Sequence, residues 1–304
     1  TSKFPSYGRL SGQRLEEKEE GARVTVNVEK RNKTDFALWK LSGALSKRQQ
    51  EWPSPWGVGF PGWHIECSAM SRKYLGQPFD IHCGGVDHIS VHHENEIAQS
   101  EAAYGVKLAN YWLHNEFLAV ESQKMSKSLG NVYTVSDIES RGFDPLALRY
   151  LYLGTHYRQK ENFTWDALQA AQNALTRLRE TIREWDAPEI GCAEYETNFT
   201  TAIEDDLNTP IALSMIWKLV GDATYPSRAK SATMLFMDRV FGLSLCEMIG
   251  RRVEIPEDIQ RMIVQREEAR RKKEWSRADD LRRAIQERGW SIEDTTEGTK
   301  AMPM

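Results

Sequence analysis

The chain has 304 residues, 40% of them hydrophobic and 28% charged, an ordinary globular composition with room for two or three domains. Its 40 Lys and Arg against 44 Asp and Glu leave a net charge of −4, which excludes a protein that coats nucleic acid through overall basicity. No apolar run approaches the roughly 18 residues of a membrane span. Thr1-Ser-Lys-Phe carries no apolar signal core, and four cysteines are too few for a disulfide scaffold, so a reducing, cytoplasmic setting is expected.

Residues 1–45 are charge-dense, with a Glu/Lys run over 15–23 and strand-like alternation over 24–28, and read as an appended or inserted piece. Three prolines and three glycines within 51–62 predict a loop of several turns. A helix over 65–74, a strand over 79–82, the pair Gly84-Gly85, a helix over 94–104 and a strand over 116–120 follow. Helices alternating with short strands predict a parallel sheet with ligand loops at the strand ends. Beyond about residue 135 the pattern turns helical. Thr134 and Asp137 have the spacing of a capping box, with Gly142 as the stop. Thr164 caps a long helix whose Leu168, Ala171, Leu175, Leu178, Ile182 and Trp185 alternate spacings of three and four, one buried stripe. Asn208-Thr209-Pro210 opens a helix to 220, another covers 230–241, and the block reads as a helical bundle. After a turn near Gly250, one helical unit over 259–288 is closed by Gly289 and a short strand over 290–293. Ten Lys and Arg against six Asp and Glu between 261 and 288 make this tail locally basic. With Trp275 and Trp290 it suits phosphate contacts and base stacking on a single-stranded loop, although the same charges also read as a solvated helix.

Two strings carry chemistry. Lys124-Met-Ser-Lys127-Ser128, followed by Leu-Gly130-Asn131, places two ammonium groups three residues apart on a short loop. Such a loop closes on a polyphosphate and neutralises charge growing on a leaving pyrophosphate. His92-His93-Glu94-Asn95-Glu96 puts His92 and Glu96 four apart, on one face of a helix. They need one or two further donors to hold zinc, and Cys67 is the thiolate candidate. The alternative reading is a polar helix cap and a buried core cysteine.

The Lys124–Ser128 string is the second signature of class I aminoacyl-tRNA synthetases. With it stand Pro61-Gly-Trp-His-Ile-Glu-Cys-Ser-Ala-Met70, Phe79-Asp-Ile-His-Cys-Gly-Gly85, His92 to Ser100, Asp144-Pro-Leu-Ala-Leu-Arg-Tyr150, Asp205-Asp-Leu-Asn-Thr-Pro210 and the tail from Arg270 to Asp280. Together they resemble cysteinyl-tRNA synthetase along essentially the whole chain. The resemblance implies an α/β fold: the second half of a Rossmann-like class I catalytic domain, then an α-helical bundle and a small helical/mixed anticodon-binding unit. The corresponding segments are 1–45, a remnant of a connecting insertion; 46–133, the half catalytic domain; 134–160, a stem-contact-like connection; 161–250, the bundle; and 251–304, the anticodon unit. It implies one Zn2+ on Cys67, His92 and Glu96, and ATP with Mg2+ on the catalytic Lys124 and Lys127. Gly84, Gly85 and Asp87 fall near the adenosine, and Trp63 and His82 near the amino acid. The implied reaction makes cysteinyl-adenylate from L-cysteine and transfers cysteine to tRNA(Cys), in a protein that is a monomer when complete.

The family's first signature, His-x-Gly-His, and its second zinc cysteine are not found in the chain, and no cysteine precedes Cys67. That predicts a chain beginning inside the insertion, with the N-terminal half on the same or another chain; the Thr start favours truncation or cleavage over a split gene. Cys83 stands where the family shows glycine, and reads as a tolerated small side chain rather than a replacement ligand. Cys192 and Cys246 read as core or incidental. Two other readings compete: a zinc-dependent ligase joining cysteine to an amino sugar, and a non-catalytic fragment that docks tRNA or a partner.

Overall fold

The computed structural model describes residues 1–12, 30–43, 48–251, 255–295 and 298–303. The charge run and the alternating segment expected within 15–28 lie outside the described residues. Two compact units emerge, one of Thr1–Asp137 with Thr155–Ala167, the other of Ile138–Gly154 with Leu168–Met304. No helix among the described residues is long and apolar enough to cross a membrane.

In the first unit, strand β1 (Trp39–Leu41) pairs antiparallel with β2 (Gly59–Pro61), so the stretch expected to be only loop ends in a strand. The close approach needs glycine: a Cβ on Gly62 would lie 2.0 Å from the Ala37 carbonyl oxygen. Helix α1 (Trp63–Leu75) leads into β3 (Phe79–Gly85). Beyond β3 the chain makes a single helical turn α2 (Val86–His88), a wide π-turn (Ile89–His93) and helix α3 (Glu94–Tyr104), and returns through β4 (Ala109–Asn115). β3 and β4 are parallel, in register from Phe79 opposite Ala109 to Gly85 opposite Asn115, which is the expected crossover. Gly84 and Gly85 are the last residues of that strand rather than a turn after it.

β4 had no sequence signal. Its Ala-Asn-Tyr-Trp-Leu-His-Asn lacks the alternation of a half-buried strand, because His114 near its end turns toward other histidines rather than water. The strand expected over 116–120 shortens to β5 (Leu118–Val120), flanked by β6 (Gln123–Lys124), antiparallel, and β7 (Glu161–Phe163), parallel.

The second unit is helical. The expected capping box is present: Thr134 and Asp137 exchange hydrogen bonds at 2.7 and 3.2 Å at the start of α4 (Val135–Ser140). α5 (Pro145–Leu153) was not expected; Asp144 caps it by accepting from Leu146 N at 2.8 Å. α6 (Trp165–Arg183) carries the expected stripe, with Leu168, Leu175, Leu178 and Ile182 fully buried. α7 (Ala193–Glu204), also unexpected, packs with α8 (Thr209–Gly221) and α9 (Ser227–Phe241) around Phe199, Ile216, Met234, Met237 and Phe241. Cys192 is buried in this core and Cys246 is exposed.

The last helical unit is two helices, α10 (Glu257–Arg271) and α11 (Trp275–Gln286). They part at Lys273, whose φ of 61° no glycine or proline advertised. Ile259, Ile263, Ile285 and Ile292 form their small core. The short final strand is a hairpin, β8 (Trp290–Thr295) with β9 (Gly298–Pro303), whose Asp294 receives both ends of the buried Arg266 guanidinium at 2.8 and 2.9 Å.

Candidate functional site

The pleat of β3 sorts its side chains. His82 and Gly84 face α3, while Cys83, one step away, is exposed on the opposite face. Gly84 is where the histidines close in: a Cβ there would lie 2.5 Å from His93 Cε1 and 2.7 Å from His88 Nδ1. Any side chain would push those rings out.

α1, the π-turn and α3 bring Cys67, His92 and Glu96 together, His92 standing on the π-turn rather than on the helix that carries Glu96, with one donor atom from each within 4.8 Å of the other two. His92 Nε2 is 3.6 Å from Glu96 Oε2. A second trio, His82, His93 and Glu96, meets the same limit and shares the carboxylate. His82 Nε2 donates to Glu96 Oε2 at 2.8 Å. The Trp63 ring, half exposed, lies over His92 with centroids 4.5 Å apart and also borders His64 and His88. Of the expected residues, Trp63, Cys67, His82, Gly84, His92 and Glu96 thus share one cluster. His64, His88, His93 and His114 join it without having been singled out. The doubling of His92 and His93 was the one hint, since two adjacent helical residues both buried need polar neighbours on two sides.

Burial dominates the electrostatics. It holds His64 down to about 4 and His93 down to about 3, with neighbouring imidazoles adding to the effect, and lowers His92 and His114 as well. At neutral pH these rings are uncharged, as metal ligands must be. Burial, and then the Glu96 and Glu66 carboxylates, raise the Cys67 thiol. Glu96 is fully buried, and its Oε1 has no hydrogen-bond partner among the described residues. An orphaned carboxylate oxygen and a thiol raised by burial and then by the nearby carboxylates are both relieved by one divalent cation. The sulfur, nitrogen and oxygen donors suit zinc. Cys83, exposed on the far face of the sheet, is not part of either trio.

Lys124 ends β6, in a different sheet from the β3–β4 pair that carries His82 and His114, and Lys127 follows on the turn after it. Asn131 clasps that loop: its Oδ1 accepts from Ser126 N at 2.8 Å and its Nδ2 donates to the Lys124 carbonyl at 3.0 Å. A short turn over Lys127–Leu129, capped by the Ser126 hydroxyl, ends at Gly130 with φ 65°. Both lysines are exposed. Gly85 and Asp87 sit where β3 gives way to α2, with Asp87 folded back so that its Oδ1 would lie 2.4 Å from a Cβ on Gly85.

A profile of the class I (C) tRNA synthetase catalytic domain matches residues 1–173, and one of the cysteinyl-tRNA ligase anticodon-binding domain matches residues 252–300. The chain is 48% identical to cysteine–tRNA ligase 1 of Burkholderia lata over 305 residues, which cover 100% of this chain and 64% of that protein. Against the cysteine–tRNA ligase of Treponema denticola it is 39% identical, over 96% of this chain and 66% of the relative. Against that of Hyphomonas neptunium the figures are 42%, 97% and 66%. The chain therefore spans about two thirds of the length of these curated relatives.

Proposed function

The chain belongs to the cysteine–tRNA ligase family of class I tRNA synthetases, and on that premise we propose that it carries the cysteine-activating site and the tRNA(Cys)-binding tail of such an enzyme. The observation that carries this reading is the meeting of Cys67, His92 and Glu96 around a buried carboxylate oxygen with no hydrogen-bond partner. Those three residues would hold Zn2+. When bound, the ion offers a coordination position to a soft substrate thiolate, which the harder and less acidic hydroxyl of serine fills poorly. Shape alone separates such near-isosteres by only about one or two decades.

Trp63 over His92, and His82 tied to Glu96, form the walls of the amino-acid pocket, and Gly84, Gly85 and Asp87 receive the adenosine. The carboxylate of L-cysteine attacks the ATP α-phosphate, releasing pyrophosphate with its Mg2+, and the acyl group then passes to the 3′ ribose hydroxyl of tRNA. No side-chain nucleophile is required, so the protein contributes position and charge. Lys124 and Lys127 neutralise the leaving pyrophosphate. The locally basic stretch over 261–288, which includes Lys272 and Lys273 between α10 and α11, takes the anticodon loop, a feature for which an amino-sugar ligase has no use.

Metal analysis and ATP–pyrophosphate exchange on the gene product test this reading. One zinc per chain and exchange with cysteine but not serine are expected. Cys67→Ser should lose zinc and cysteine affinity together, and a Cys67→Ser protein with stoichiometric zinc refutes the assignment.

A further inference from the structure

The N-terminal strap, residues 1–12, is fastened to the helix that bears Glu96 of the candidate metal site. Gly8 N and Ser11 N donate to the two oxygens of the fully buried Glu94 at 2.6 and 3.0 Å. One residue on, a line of hydrogen bonds runs inward. The Tyr7 hydroxyl donates to Asn95 Oδ1 at 2.5 Å, Asn95 Nδ2 lies 3.1 Å from His64 Nε2, and His64 Nδ1 lies 3.0 Å from His92 Nδ1. All four residues are buried. His92, the end of the line, keeps its Nε2 toward Glu96.

This line has a direction. With Asn95 oriented by Tyr7, its amide N–H donates to His64 Nε2, so the neutral His64 ring carries its proton on Nδ1. That proton is donated to His92 Nδ1, and the neutral His92 ring therefore carries its own on Nε2. A ring protonated at Nε2 has no lone pair to give at that atom. A cation beside Glu96 and Cys67 needs the opposite tautomer, with the proton on Nδ1.

We propose that His64 and Asn95 are positioning residues whose hydrogen-bond line reverses when the Cys67–His92–Glu96 site takes up its metal, so that Tyr7 and the N-terminal strap are coupled to metal loading. The inference rests on the metal assignment above. In the loaded state His92 Nδ1–H donates to His64 Nδ1, His64 Nε2–H donates to Asn95, and Asn95 has turned its amide so that Oδ1 accepts. Asn95 Nδ2 then donates to the Tyr7 oxygen. Both rings stay neutral throughout. The proton between the two Nδ1 atoms changes owner, one proton leaves His92 Nε2 for solvent, and one arrives from solvent at His64 Nε2. Tyr7 favours the empty state because its O–H must give up the Asn95 oxygen before the line can turn. A ligand shifts such an equilibrium only through this difference between the two states.

The decisive measurement is the tautomer of His64 in the wild-type chain labelled with 15N-histidine, read from long-range proton–nitrogen spectra without metal and with one equivalent of zinc. The proton is expected on Nδ1 without metal and on Nε2 with it. Bound zinc with the same His64 tautomer in both states overturns the proposal alone. Failure of the wild type to bind zinc overturns the metal assignment, and this proposal with it. Two substitutions, titrated with zinc against a chromophoric chelator, sharpen the result. Tyr7→Phe, which removes the donor that opposes the turn, should tighten zinc about fivefold. Asn95→Leu, which cuts the line and leaves His92 unsupported, should weaken it about tenfold or more. A merely structural role for these residues would weaken zinc in both variants, and that pattern overturns the proposal.

Discussion

The two units fill their interiors with opposite materials. In the helical unit the interior is Leu175, Leu178, Ile182, Ile216, Met234, Met237 and Phe241, with buried Asp238 accepting from Leu243 N and Leu245 N at 2.7 and 2.8 Å. In the first unit the centre holds His64, His92, His93, Glu94, Asn95 and Glu96, all buried, against a small apolar cluster of Phe79, Leu108 and Ala109. Apolar burial drives folding, whereas burial of imidazoles and carboxylates opposes it unless every lone pair finds a partner. The helical interior is therefore an arrangement for stability. The histidine cluster instead buries Glu96, whose Oε1 has no hydrogen-bond partner among the described residues.

The contrast can be broken most forcefully in the helical unit. Leu178→Ala should lower stability by about 2–5 kcal/mol in a denaturant melt while zinc per folded chain stays the same. A smaller loss would mean that the α6 stripe is not the core. Next in size, Lys127→Ala should slow pyrophosphate exchange by about 100-fold with zinc content intact, because the loop stands on its own sheet. Loss of zinc there would join the loop to the cluster. Glu96→Gln should weaken zinc by more than about tenfold, yet leave the metal-free chain as stable as wild type or more stable by about 1 kcal/mol, since a buried carboxylate with one unpartnered oxygen is gone. A less stable metal-free variant would make Glu96 a structural residue.

The smallest effect concerns the tail. Hydrogen bonds from Arg266 hold the Asp294 carboxyl well below its usual 3.8, against the opposing effect of burial. A depressed carboxyl contributes stability that is complete above the usual value and is lost as pH falls through the folded one. Asp294 is 39% exposed, so solvent screens the pair and Asp294→Asn should cost less than about 1 kcal/mol near neutral pH. The difference between the two proteins should close as the melts are repeated below pH 3.8; a gap that persists there would assign the loss to packing.

Where a feature is periodic or local, the residues announced it. The stripe of α6 follows from a 3.6-residue repeat, and the Thr134–Asp137 box from a four-residue pattern. α5 was missed although Asp144-Pro145, a cap residue followed by a proline at the first helical position, stood as its signal, and α7 was missed because its stripe is less regular. β4 gave no alternation because Tyr111 on it is exposed while His114 is turned toward His93. The division of the tail at Lys273 was illegible because a lysine with positive φ is held there by bonds from neighbouring turns, Lys273 N to Arg270 O and Glu274 N to Ala269 O, not by its own preference.

The candidate metal donors and the paired lysines were legible as candidates in the order of residues, because each is a choice of side-chain chemistry at a fixed spacing. The company those donors keep was settled only by the folded chain. Tyr7 reaches Asn95 across 88 positions, and His64 reaches His92 across 28. A hydrogen bond between residues so far apart leaves no repeat and no local preference in the sequence. It comes into being only when α1, α3 and the N-terminal strap are packed together.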